Sequence, residues 1–175
     1  MSVNEELQEH AEHAHDQFSR KAGATMAIIA AALAVVAVYG HIMTTEELLK
    51  QQKSSDQWAY YQAKSLRRYQ SEVAVDLFKV NGGEKAAAAA DKYAAAVTKY
   101  RSDMEEIQKK AEELERESES DGRKALRAHL GEVFLEIAIV LSSLAVLARR
   151  PLFWYAGIIS AACGVVIAVT TLMVH

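Results

Sequence analysis

Three groups of residues have the type and spacing to do chemistry. Glu132 and Glu136 are four positions apart and share one face of a helix, the second of them inside the apolar run 133–148. Ionisable groups at membrane depth mark ion or proton paths, or bind helices together by hydrogen bonds. His41 and His129 fall at the same level of the chain's apolar segments, so a polar cluster of His41, His129, Glu132 and Glu136 is geometrically open. The plainer reading puts His129 and Glu132 among lipid headgroups and makes Glu136 a buried interhelical hydrogen-bond partner. The second group is EHAEHAH at 9–15, with His10 and His13 one helical turn apart. That spacing can hold Zn²⁺, but it suits a polar acidic tail equally, and no metal site is assigned. The third is SDQWAYYQAKSLRRY at 55–69, which crowds Trp58, Tyr60, Tyr61 and Tyr69 among Lys64, Arg67 and Arg68.

Around these groups the sequence has no Gly-rich phosphate loop, CxxC, HExxH or recognisable Ser, His and Asp set. The expectation is a protein that is not an enzyme, with no catalytic residue, no cofactor and no small-molecule substrate. Residues 44–131 hold 16 Lys and Arg against 16 Asp and Glu. A general nucleic-acid binder would carry a basic excess, so nucleic acid is not an expected partner.

The elements that must position these residues are helical, and the predicted fold is all-α. Residues 22–43 contain no formal charge, nor do 152–174. About 20 apolar residues cross a bilayer core, so both are predicted transmembrane helices. The run 133–148 is shorter, but reaches a spanning length if its helix begins near Ala128, giving a third within 123–148. Arg20 and Lys21 precede an apolar run longer than that of a cleaved signal, which fits a retained signal-anchor. Cys163 reads as a small apolar packing residue. Small residues every fourth position (Gly23, Ala27 and Ala31; Ala138 and Ser142; Gly157 and Ala161; Ser160, Gly164 and Ala168) would let the spans pack closely.

The predicted order is an acidic His-bearing tail at 1–21, a first span, an extramembrane segment at 44–122, and two spans joined by a turn at Arg149, Arg150 and Pro151. Within 44–122, Asn81-Gly82-Gly83 separates two arms and predicts an antiparallel helical hairpin. Ala86, Ala90, Tyr93, Val97, Tyr100, Met104, Ile107, Ala111 and Leu114 follow 4,3 spacing in the second arm. Ala59, Ala63, Leu66, Gln70, Val73, Leu77 and Val80 do so in the first. Facing stripes of this period predict a coiled coil. Thr44 and Glu47 suggest a capping box that restarts the helix, and Asp121-Gly122 a second bend.

In that frame Trp58, Tyr61, Ser65 and Arg68 lie away from the seam. An exposed Trp and Tyr beside Arg and Lys has the composition of an interface core, so Trp58, Tyr61, Lys64 and Arg68 are the candidate interaction surface. Lys and Arg near short loops favour the cytoplasm. Arg20, Lys21, Arg149 and Arg150 share one side, placing the N-terminus in the cytoplasm and the hairpin in the periplasm, although Arg123, Lys124 and Arg127 crowd the opposite side.

The chain as a whole resembles a bacterial family known as domain of unknown function 4337. The resemblance is carried by the His-bearing tail, by DQWAYYQAK within 55–69, and by GEVFLEIAIVLSSLAVLARR followed by LFWY. It implies a three-span bacterial membrane protein and brings no activity; the expected location is the inner (cytoplasmic) membrane. The functional expectation is a noncatalytic membrane scaffold or accessory subunit, oligomeric, contacting membrane lipid and docking another copy or another membrane protein through its hairpin. The alternative is a small proton or ion channel or transporter component using Glu132 and Glu136.

Overall fold

A computed structural model describes the backbone of residues 3–171 and the side chains of residues 17–171. The His-bearing tail expected at 1–21, with His10, His13 and His15, lies largely outside the described side chains, as does the end of the last expected span beyond Thr171. Among the described residues the fold is all-α, with α1 Val3–Asn81, α2 Glu84–Ala148 and α3 Pro151–Thr170. Each contains a segment long and apolar enough to cross a membrane. The chain divides into two compact units, one of residues up to Thr45 with those from Ser120 onward, the other Glu46–Glu119.

Glycine and proline account for the helix boundaries. Gly82 (φ 64°) and Gly83 (φ 91°) take left-handed conformations between α1 and α2, as expected at 81–83. At the end of α2, Arg149 is left-handed at φ 53°. Its N–H donates to the Val146 carbonyl at 3.4 Å, and the Arg150 N–H to the Ala145 carbonyl at 3.2 Å. This is a Schellman ending with arginine where glycine is usual. Arg150 then caps α3 with Pro151 in its first turn.

The helix restart expected at Thr44 and the interruption expected at Asp121-Gly122 do not occur: α1 and α2 are helical through both. Thr44 and Thr45 turn their hydroxyls back to the carbonyls of Gly40 (3.0 Å) and His41 (2.8 Å) instead of capping a new start. A lone glycine inside a helix costs only about 1 kcal/mol against alanine, which the long flanking runs outweigh at Gly122.

In the first unit, Ile29 of α1 is buried with Leu135 and Ala138 of α2, and Leu33, Val36, Ile139 and Ala161 pack around them. Helices α2 and α3 approach most closely at two glycines. A Cβ on Gly131 would meet the Gly164 carbonyl oxygen at 2.8 Å, and one on Gly164 would meet the Gly131 carbonyl oxygen at the same distance. A Cβ on Gly157 would meet Ser142 Oγ at 2.7 Å. Ser160 Oγ donates to the Phe134 carbonyl at 2.7 Å. The small residues of α2 and α3 are thus used as expected, whereas those of α1 are not: Gly23 has nothing near its Cβ position, and Ala27 and Ala31 are exposed. Ala22, Ile29 and Gly40 supply buried positions on α1 instead. Cys163 is exposed rather than packed between helices.

The second unit is an antiparallel pair of arms from α1 and α2. Ser54 Oγ donates to the Ala111 carbonyl (3.1 Å) and Ser118 Oγ to the Glu47 carbonyl (3.0 Å), while Phe78 stacks on Tyr93 near the turn. On the second arm the expected stripe is the seam, with Ala90, Met104, Ile107 and Ala111 buried. On the first arm it is not. Ala59, Ala63, Leu66, Gln70, Val73, Leu77 and Val80 are all exposed, and the packed face holds Ser54, Trp58, Tyr61, Lys64, Arg68, Ser71, Val75 and Phe78. Size explains the exchange. Trp and Tyr each bury far more area than the alanines at 59 and 63.

Candidate functional site

The four residues of the expected interaction surface are all half-buried and lie on the packed face of the first arm. Trp58 and Tyr61, one turn apart on α1, meet edge to face with centroids 5.6 Å apart, and both are half-buried. Trp58 lines a cleft between the arms with Ser54, Glu115 and Ser118. Lys64 Nζ reaches Asp103 Oδ2 at 2.6 Å, and sits 5.3 and 5.4 Å from the ring centroids of Tyr60 and Tyr100. The hydrogen bond to Asp103 raises the Lys64 pKa above its ordinary value, and the same bond lowers that of Asp103. Arg68 lays its guanidinium 4.5 Å from the Tyr69 centroid, with Nε buried and unpaired. Reading this face as a free docking surface is therefore corrected. The Lys64 ammonium is engaged within the hairpin, and it is the opposite, aliphatic stripe that is exposed.

The expected polar cluster forms in part. His129 Nδ1 lies 3.0 Å from Glu132 Oε2, one turn along α2, and its Nε2 lies 3.2 Å from Thr44 Oγ1 on α1. The His41 ring meets that of His129 edge to face at 5.9 Å. Close approach at this level depends on Gly40, where a Cβ would stand 3.2 Å from the His129 ring. Carboxylate, imidazole and hydroxyl thus stand in line, an order that can pass a proton and also locks three side chains. Glu136 does not join them. It is exposed on the outer face of α2 rather than buried between helices as the plainer reading had it. Thr44 and Gly40 went unnoticed as partners of His129, since only the pairing of α1 with α2 brings them there. Among the described residues, no group of three or more His, Cys, Asp or Glu is placed to hold a metal ion.

At the other end of this unit Phe18 meets the Trp154 ring edge to face at 6.1 Å, and Trp154 Nε1 donates to Thr25 Oγ1 at 3.4 Å. The pairs Arg20 with Lys21 and Arg149 with Arg150 therefore belong to one end of the unit, with His129 at the other.

Together these features define an all-α protein whose three helices are long and apolar enough to cross a membrane, with a helical hairpin between the first and the second. The chain belongs to the family described as Domain of unknown function (DUF4337), which it matches over residues 18–174. No curated protein and no solved structure matches it.

Proposed function

We propose that this chain is a noncatalytic membrane scaffold or accessory subunit, whose three apolar helices anchor it and whose hairpin Glu46–Glu119 docks a protein. The observation that carries this reading is the aliphatic outer face of the hairpin, where Leu66, Val73, Leu77 and Val80 are exposed. Contiguous apolar surface on an otherwise polar unit marks a contact with protein or membrane. The location that fits is a bacterial inner membrane. Arg20, Lys21, Arg149 and Arg150 at one end support a cytoplasmic N-terminus and a periplasmic hairpin. Glycine contacts between α2 and α3 support a rigid anchor, since small residues let membrane helices approach closely.

Extraction with alkaline carbonate, followed by purification in mild detergent, tests the proposal. The chain should stay in the membrane pellet, then emerge in fixed ratio with a second copy or another membrane protein. Release by carbonate, or recovery alone, would reject the reading.

The line of Glu132, His129 and Thr44 favours a second reading, a small proton or ion path. The outward position of Glu136 weighs against extending that path through α2. Liposomes carrying the chain should then show proton flux that Glu132→Gln abolishes; equal flux from both would dismiss it.

A further inference from the structure

The first arm of the hairpin carries, besides the face that packs it, a second stripe of 4,3 spacing. The seam stripe faces α2. The second, running through Leu66, Gln70, Val73, Leu77 and Val80, faces outward, with Leu66 59% exposed, Val73 67% and Val80 86%. Lipid and flat surfaces need no heptad register, whereas a partner helix does. We infer that this stripe is the seam through which two copies of the chain pair, arm to arm, parallel and in register.

The inference rests on the scaffold reading and deepens it by naming the partner and its geometry. Copies inserted the same way in one membrane run parallel, and a two-fold axis along the membrane normal sets each residue opposite its own counterpart. The stripe suits that symmetry. Assigning Ala63, Gln70 and Leu77 to the a positions puts Leu66, Val73 and Val80 at d. Parallel helices pair a with a, so Gln70 meets Gln70, and each amide can both donate and accept across the axis. An antiparallel or unlike aliphatic partner would set that amide against an apolar side chain, at the cost of an unmet polar group. A single polar residue at a is the established device for fixing register. The flanks agree: across the seam Gln62 falls opposite Arg67, Tyr69 opposite Ala74 and Asp76 opposite Asn81, with no like charges facing one another.

Cysteine cross-linking of the full chain in native membranes tests this, in a Cys163→Ser background. Under mild oxidation Gln70→Cys and Val73→Cys should each give a covalent dimer of twice the chain's mass. Thr98→Cys, exposed on the second arm, should give none. Adding Leu66→Glu with Leu77→Glu should abolish the Gln70→Cys dimer while leaving the helical circular dichroism intact. Monomer alone from both seam cysteines, or adducts with a different protein, would overturn the inference. If the chain then still resists carbonate and is purified in fixed ratio with another copy or another membrane protein, the scaffold reading survives it. Release of the chain by carbonate would instead remove the scaffold reading, whatever the cross-links show.

Discussion

Lys64 shows how single side chains set the hairpin's face. Its ammonium is held by Asp103 and lies against the Tyr60 and Tyr100 rings, so a cation lies at the seam where hydropathy alone would put leucine. This ion pair implies a definite pH dependence. The Asp103 pKa is lowered from 3.8, so its contribution is present above that value and lost as the pH falls through the lowered one. The Lys64 pKa is raised from 10.5, so its contribution is present below that value and lost as the pH rises through the raised one. Thermal melts of the full chain should therefore show a plateau at neutral pH, with losses at both extremes. Asp103→Asn should flatten the acid limb, and an unchanged limb would show that the pair contributes nothing. Trp58→Ala removes half-buried aromatic area from the same seam and should destabilise the hairpin by about 2 kcal/mol. Leu66→Ala, on the exposed stripe, should leave the stability of a single chain nearly unchanged. At Arg149, φ 53° strains any residue with a Cβ. Arg149→Gly should stabilise the turn by about 1 kcal/mol, read from the unfolding midpoint in detergent.

At the level of elements, apolar length and the Gly82-Gly83 turn were readable because each follows from a local rule. Twenty-odd uncharged residues and two adjacent glycines mean the same thing in almost any context. The second-arm stripe was readable too, since the large apolar residues of that arm, Tyr93, Val97, Tyr100, Met104, Ile107 and Leu114, all fall on it. The first arm was not, for a physical reason: it presents two candidate faces, and periodicity cannot say which one is packed. Counting hydropathy favoured Ala59, Leu66 and Val73, whereas the larger buried area of aromatic rings favoured Trp58, Tyr61 and Phe78. The polar site divided in the same way. His129 and Glu132 one turn apart are a local pairing, but the outward turn of Glu136 depends on which face of α2 meets its neighbours. Helix contacts make the element-scale prediction sharp. Gly131→Ala drives a Cβ to 2.8 Å from a backbone oxygen of α3 and should cost roughly 1–3 kcal/mol, measured by unfolding in detergent. Gly23→Ala, with open space at its Cβ, should be neutral or stabilising by about 0.5–1 kcal/mol. Equal effects from the two would refute the close approach of α2 and α3.

At the scale of the whole molecule, the two units are packed by different means. The helices with apolar, membrane-length segments pack through glycine and leave aliphatic surface suited to lipid, while the hairpin closes its own seam with aromatics and ion pairs and leaves a heptad stripe uncovered. On the proposed reading the first unit anchors the chain and the second pairs it with another copy. The most direct test is the mass of the full chain in lipid nanodiscs, compared with that of Leu66→Glu/Leu77→Glu. The account predicts a dimer for the native chain and a folded monomer for the variant. A native chain that is monomeric, or a variant that keeps the native mass, would contradict it.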